Sequence, residues 1–356
     1  VCILGSGLTA LTLAKALVNQ NIFVDLISSN KNHKINHSRT IGISKSNFNY
    51  FNRNITNIEK ISWKLKKIEI YTDKNKNEKI LNFENSDEQL FSIIKNYQLY
   101  EVLNKNLFKN KYFKKIKSKK KLIKPEKYNL IVNTEYNNIF TKKYFSKKIE
   151  KVYNSSAYTT VINHETISNQ IAVQIFTKIG PLAFLPLSKN KTSIVYSIYN
   201  SKHVDRKKII HLINQHNIKY KITKIEKIEN FELKSFNLRS YYHNNILAFG
   251  DLLHRIHPLA GQGFNMTIRD INLLINIIKN KIDLGLHIDS SVNYEFEKNS
   301  KHKNYIFSNS IDLVQEFFNF ERKFNNNILS KSVKILGKNR FINKLFTKVA
   351  DKGINF

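Results

Sequence analysis

Cysteine is nearly absent from this 356-residue chain, acidic side chains are outnumbered, and no apolar run is long. The one cysteine, Cys2, has no intrachain partner, which excludes a disulfide framework and suits a reducing compartment. No stretch approaches the roughly 20 apolar residues that span a bilayer, so a soluble or peripheral protein is expected. Asp plus Glu number 27 against 59 Lys plus Arg, a formal charge of +32. Such an excess often marks nucleic-acid binding. Here it is mostly lysine scattered among Asn and Ile with no nucleic-acid motif beside it, so no nucleic acid is expected as a partner. There is no internal repeat and no linker long enough to separate independent modules. The chain opens at Val1, already inside a strand, and a few residues are expected to precede it.

What is present begins with Val1-Cys2-Ile3-Leu4, a buried-type strand running into Gly5-Ser6-Gly7-Leu8-Thr9-Ala10. A helix with Leu8, Leu11, Ala14, Leu17 and Val18 on one face follows, then a second strand over 22–27. Strand, glycine turn, helix and strand within about thirty residues make a dinucleotide-binding βαβ unit. Gly5 serves the turn, Gly7 the close approach of a pyrophosphate, Ala10 the helix–strand packing, and Leu8 and Thr9 open the helix at the ligand. The acidic residue expected for the adenosine ribose falls at Ser28, a hydroxyl, and Asp25 lies inside the strand pointing the wrong way.

A second element is denser still. Strand 246–249 ends at Gly250-Asp251, a loop carries His254, His257 and Pro258, and a helix opens at Gly261-Gln262-Gly263-Phe264-Asn265. Apolar residues Phe264, Ile268, Ile271, Leu274, Ile275 and Ile278 then recur at helical spacing. Glycines at a helix start leave backbone N–H groups and the positive dipole end facing a ligand that carries negative charge, and Asp251 can accept from a ligand hydroxyl. His254 and His257 at i, i+3 lack a carboxylate or cysteine to complete a metal set, so no metal is expected.

The pattern Gly-Asp-x5-His-Pro-x-Ala-Gly-Gln-Gly-x-Asn resembles the second flavin motif of class A flavoprotein monooxygenases, most closely the ubiquinone-biosynthesis aromatic-ring hydroxylases. The resemblance implies an α/β fold: an FAD-binding Rossmann-like domain of the glutathione-reductase type, an inserted β-sheet substrate domain and a C-terminal helical segment. It implies FAD as cofactor, with Asp251 on its ribityl chain and Gly261, Gln262, Gly263, Phe264 and Asn265 under the isoalloxazine. Arg39, in Ser38-Arg39-Thr40-Ile41-Gly42-Ile43-Ser44, matches a segment whose Arg lies along the flavin. Segment 93–107, read as opening a helix with Leu99, Leu103 and Leu107, resembles one whose polar residues, here Asn96 or Gln98, face the cofactor. His257 and Pro258 are the expected catalytic pair, shaping the oxygen-facing side. Phe176-x-x-x-Gly180-Pro181-Leu182-Ala183-Phe184-Leu185 resembles the substrate-domain sheet, with Phe184 and Leu185 as ring-pocket residues.

The expected division is 1–60, 92–152 and 240–285 for the FAD domain, 61–91 and 153–239 for the substrate domain, and 286–356 for the helical segment. Runs 64–71 and 79–83 read as two strands. The family's Ala-Asp-Gly motif is replaced by Asn133-Thr134-Glu135, which removes the sequence support for a pyridine-nucleotide encounter and leaves NADPH or another electron donor open. The function implied is FAD-dependent hydroxylation of a polyprenylated phenol by O2. A degenerate, non-catalytic flavoprotein subunit and another class A flavin oxidoreductase are the alternatives. The basic run 114–124 suits a membrane surface. The location implied is the cytoplasm or the inner membrane face; a ubiquinone-biosynthesis complex or a second copy of the chain are further partners.

Overall fold

The computed structural model of the chain describes residues 1–28, 37–73, 79–84, 89–117, 124–199, 204–257, 261–324 and 339–353. The first half runs β1 (Cys2–Leu4), α1 (Leu8–Val18), β2 (Val24–Ser28), β3 (Thr40–Ser44), α2 (Lys45–Asn54), β4 (Ser62–Leu65), β5 (Lys67–Thr72), β6 (Lys79–Glu84), β7 (Phe91–Lys95), α3 (Asn96–Phe108), β8 (Phe113–Lys117), β9 (Ile131–Asn133) and α4 (Ile139–Tyr144). Next come β10 (Lys148–His164), β11 (Ile171–Thr177), β12 (Gly180–Ser188), β13 (Lys191–Tyr199), α5 (Arg206–His216), β14 (Ile222–Ile225) and β15 (Glu229–Leu238). The chain closes with β16 (Tyr242–His243), β17 (Ile246–Ala248), β18 (His254–Arg255), α6 (Gln262–Asp283), α7 (Ser290–Phe324) and α8 (Arg340–Lys352).

These strands make three sheets. The first has the order β16-β17-β9-β1-β2-β8, parallel from β17 through β8. Its central strands read as unbroken apolar runs because helices cover both faces. Leu11, Leu13, Leu17, Leu103, Ile271 and Ile275 pack with them in the largest core. The second is a nine-stranded, mostly antiparallel sheet, β18-β15-β10-β13-β12-β11-β5-β6, with β14 on β10. One face packs α5 through Leu212 and Ile213 against Tyr196 and Phe184. The third is β3-β7-β4. The architecture is the mixed α/β fold expected, with helices α7 and α8 at the C-terminus.

Two elements differ from expectation. Residues 64–71 are not one strand: the chain breaks at Lys66, whose N–H donates to Gln170 O at 3.0 Å, so β4 joins β7 while β5 joins β6 and β11. Ile93 and Ile94 belong to β7, not to a helix. They are buried between β3 and β4, where β-branched side chains pack well, and the helix starts at Asn96. Of the basic run, 114–117 belong to β8 at the edge of the parallel sheet, and 118–123 lie outside the described residues. Cys2 is buried, and burial, reinforced by Asp25, pushes its thiol up to about 12, so it is inert. No helix among the described residues is long and apolar enough to cross a membrane.

Candidate active site

The N-terminal turn is built by three strands. Gly5 N–H donates to Ile27 O at 2.9 Å, and Thr134, just past β9, donates its N–H and its hydroxyl to Leu4 O at 2.9 and 2.8 Å. A Cβ on Gly5 would lie 2.1 Å from the Thr134 hydroxyl, so protein packing demands that glycine. Gly7 is different. Its φ of −78° and ψ of 179° suit any residue, and nothing stands within 4 Å of the Cβ it lacks. The missing side chain therefore keeps open a cavity of about 660 Å³ walled by Gly5, Gly7, Leu8 and Thr9. Ala10 is not on that wall but fully buried, where helix meets sheet. Ser28 is also off it: its hydroxyl donates to Ser6 Oγ at 3.1 Å. Asp25 turns away, accepting from the Tyr128 hydroxyl at 2.9 Å.

The second glycine element meets the first. Gly250, at φ +66°, sits where a Cβ would approach Thr9 Cγ2 to 2.4 Å, and Asp251 beside it is exposed on the cavity wall. Gly261, left-handed at φ +63°, caps α6. Gly263 resembles Gly7, since an added Cβ would meet only Ile256 at 3.8 Å. The opening turn of α6 thus presents N–H groups and a dipole end to the cavity, where a negative charge gains about 0.3–1 kcal/mol. Phe264 shares the wall. Asn265 does not: its amide donates to Gly42 O at 3.0 Å and Gly261 O at 3.2 Å and accepts from Ser44 N–H and Asn47 at 3.0 Å each. It ties α6 to β3, leaving nothing for a ligand. On α3, Asn96 and Tyr100 reach the wall and Gln98 does not.

Two histidines line this cavity with opposite surroundings. His257 is 1% exposed, both ring nitrogens lack a partner among the described residues, and burial holds its pKa down to about 3. It is a neutral ring, edge-on to Tyr153 at 5.2 Å. His254 Nε2 lies 2.6 Å from Asp270 Oδ2, and Asp270 Oδ1 accepts from Asn304 at 3.0 Å. That network was not legible in the sequence, where sixteen residues separate ring and carboxylate. Pro258, the other expected catalytic residue, lies outside the described residues. Among the described residues no cluster of His, Cys, Asp or Glu could hold a metal ion.

A second, largely apolar cavity of about 290 Å³ shares Arg39, Thr40, Phe231 and Gly261 with the first. Its walls include Leu65, Phe91, Ala172, Phe176, Leu185 and Val195 from the two smaller sheets. Arg39 stands at the junction, 4.6 Å over the Phe231 ring. Burial lowers its pKa, and Asp251 and Glu229 oppose the loss of charge. Gln262 faces this apolar cavity rather than the first, with Oε1 buried and unpartnered among the described residues. Leu185 lies on the wall. Phe184 does not: successive strand residues point to opposite faces, and Phe184 stacks on Tyr220 at 5.8 Å in the α5 core. The sequence motifs also missed Glu135, Tyr136 and Asn137, which hold the wall after β9 where the Asp-Gly motif was sought.

A cavity kept open by two glycines, bordered by a helix N-terminus and a carboxylate, and sharing a wall with an apolar chamber, fits a dinucleotide with a planar ring near the shared wall. Residues 152–283 match the FAD binding domain family. The chain is 26% identical over 217 residues to ubiquinone biosynthesis monooxygenase COQ6, mitochondrial, of Caenorhabditis elegans, covering 47% of each chain. It is 30% identical over 166 residues to 3-demethoxyubiquinol 3-hydroxylase of Escherichia coli K12, covering 44% of this chain and 40% of that one. The matched stretch thus spans less than half the length of these curated relatives. Among solved structures, p-nitrophenol 4-monooxygenase of Pseudomonas putida aligns over 98% of this chain and 97% of its own with a TM-score of 0.79 at 10% identity. HpxO of Klebsiella pneumoniae complexed with FAD and uric acid aligns over 98% and 96% with a TM-score of 0.75 at 10% identity. At those identities the likeness is one of fold. Family match, curated relatives and fold point the same way: the chain is similar to FAD-dependent monooxygenases, ubiquinone-biosynthesis hydroxylases among them.

Proposed function

We propose that the protein is an FAD-dependent monooxygenase that hydroxylates the aromatic ring of a polyprenylated phenol on the route to ubiquinone. The observation that carries the reading is the junction: a polar cavity with room for a dinucleotide adjoins, at Arg39 and Gly261, an apolar chamber sized for a ring. The names of the curated relatives supply the substrate class. FAD, when bound, supplies the redox chemistry that activates O2. The residues of this chain bind and orient it. Gly5, Gly7, Leu8 and Thr9 would take the pyrophosphate side, Asp251 the ribityl hydroxyls, and Gly261 and Gly263 the ring edge through backbone N–H groups. Arg39 lies where ring and substrate would meet, and its guanidinium can stabilise negative charge developing there. His257, held neutral, offers one N–H and one lone pair to an oxygen at this wall without carrying charge itself. Leu185, Phe176 and Val195 exclude water from the ring, which strengthens every electrostatic contact at the junction.

In this reading residues 1–60, 92–152 and 240–285 hold the cofactor, 61–91 and 153–239 the substrate, and 286–356 close the molecule. NADPH or another donor reduces the flavin. A peripheral position on the inner membrane face, a biosynthetic complex and self-association suit a greasy substrate. The Ser28–Ser6 hydroxyl pair at the ribose position favours a second reading, a flavoprotein subunit that binds FAD weakly and does not turn over. One experiment separates them. The purified protein should stay yellow through gel filtration and, given reductant, O2 and a polyprenylated phenol, yield a product one oxygen atom heavier. A yellow protein without product supports the second reading, and a colourless one defeats both.

A further inference from the structure

The apolar chamber is closed on one side by the far end of the chain. Thr347, Ala350 and Asp351 of α8, with Val314 of α7, complete a wall otherwise made of sheet residues. The helix is held differently from the others. No residue from Asn343 through Lys352 is buried, and Leu345 and Phe346 are 50% and 45% exposed. By contrast, α6 is inserted in the core along most of its length. Among the described residues, the hydrogen bonds that tie α8 to other elements sit toward its two ends. Asp351 accepts from Ser46 N–H at 2.8 Å and Ser46 Oγ at 2.5 Å, and its backbone carbonyl accepts from Ser44 Oγ at 2.9 Å. At the other end Asn343 donates to Asn82 O on β6 at 2.9 Å.

The Asp351 contact completes α2. Ser44 stands at the N-cap of α2 but makes no side-chain cap bond of its own, so the exposed N–H of the first turn is satisfied by a carboxylate from about three hundred residues away, at the positive end of the helix dipole. A helix tied near its ends, with no buried residue from 343 through 352, belongs to the class of elements that open locally while the rest of the fold stays intact. The chamber gives that opening a use. Its volume of about 290 Å³ suits a single ring, whereas a polyprenyl chain has to leave through a wall. On the sheet sides the wall is strand residues fixed within two hydrogen-bonded sheets; on the α8 side it is three small or short side chains on a lightly held helix.

We propose that α8 is a latch over the aromatic-substrate chamber, closed by Asp351 on the first turn of α2, and that Thr347 and Ala350 set which ring substituents pass beneath it. This rests on the reading of the chamber as the substrate site. Opening admits a phenol bearing a long apolar tail; closing returns Asp351 to Ser46 and keeps water from the ring with the tail lying under the helix.

Hydrogen exchange on the FAD-loaded protein tests the latch without a substrate. Asp351→Ala should speed amide exchange in 340–352 about tenfold, the loss of one charged cap, with α6 and the FAD content unchanged. Since Asp351 also supports α2, Asn343→Ala is the independent variant and should speed the same segment several-fold. Equal exchange of α8 and α6 in the wild type, or no acceleration in either variant, overturns the proposal. Flavin fluorescence then reads binding of two probes, phenol and 2-farnesylphenol. Ala350→Phe should weaken 2-farnesylphenol about tenfold and phenol little. Equal effects on the two probes overturn the specificity role. If neither probe binds the wild type while exchange behaves as expected, the hydroxylase reading fails and the latch stands.

Discussion

The two cavities meet at four residues yet are built in contrasting ways. The polar one is made at strand ends and helix starts: Gly5 to Thr9 after β1, Thr134 to Asn137 after β9, Asp251 after β17, and the first turn of α6. Those stretches are contiguous in sequence and carry its glycines, while Arg39, Tyr100, Phe231 and Lys234 close the remaining sides. The apolar one is made from faces of sheets and from helices far apart in the chain, one side chain at a time. The first is therefore sensitive to what a residue adds, and the second to which way it points.

The largest expected effect tests the pointing. Phe184→Ala should cost about 3–5 kcal/mol of stability by emptying a space in the α5 core, yet leave the affinity for a phenol nearly unchanged. Leu185→Asp, one residue on, should do the reverse, abolishing phenol binding while the protein still retains FAD. Urea unfolding and flavin-monitored titration of the two variants check this, and identical behaviour would erase the distinction between the faces.

Gly7→Val asks the corresponding question of the polar cavity. The backbone accepts a side chain and no protein atom lies within 4 Å of the added Cβ, so the apoprotein should melt as the wild type does, while FAD affinity falls on the order of 100-fold. Gly250→Val should instead lower the melting temperature, because its Cβ would strike Thr9. A loss of FAD in the second variant without loss of stability would contradict this division between packing and cavity glycines.

Acid should sharpen the contrast further. His257 is held neutral down to about pH 3, whereas in the unfolded chain it takes a proton near 6.5. Between those values the unfolded state binds the extra proton, so stability falls as pH falls, by about 1.4 kcal/mol per unit and about 2 kcal/mol from pH 6.5 to 5. Thermal melts of wild type and His257→Phe should diverge over that window, the variant losing the slope. The smallest effect belongs to Asp251→Ala. This carboxylate is exposed, so its loss should weaken FAD about tenfold and leave folding untouched.

The glycine turns were legible because a strand-to-helix turn is written locally: Gly5-x-Gly7 after a strand, and Gly261-x-Gly263 before a helix of apolar period, leave few alternatives. The same stretches misled where a motif residue serves the fold. Asn265 is spent on Gly42, Gly261, Ser44 and Asn47, which no spacing reveals, whereas Ala10 is buried at the helix–sheet contact the turn pattern predicts. Gln98 lost its place to Asn96 and Tyr100 because the helix starts at Asn96, which sets the rotation of every residue after it.

By itself the sequence determined that strand, glycine turn and helix recur at both ends of one domain, since hydrophobic period and glycine placement act over a few residues. Tertiary structure alone decided that Gly250 stacks on Thr9, that His254 finds Asp270, that Phe184 and Leu185 divide between core and chamber, and that Asp351 caps a helix begun at Lys45. Those contacts join residues remote in the chain, and side-chain direction at each depends on sheet register and helix rotation, which only the packed molecule sets.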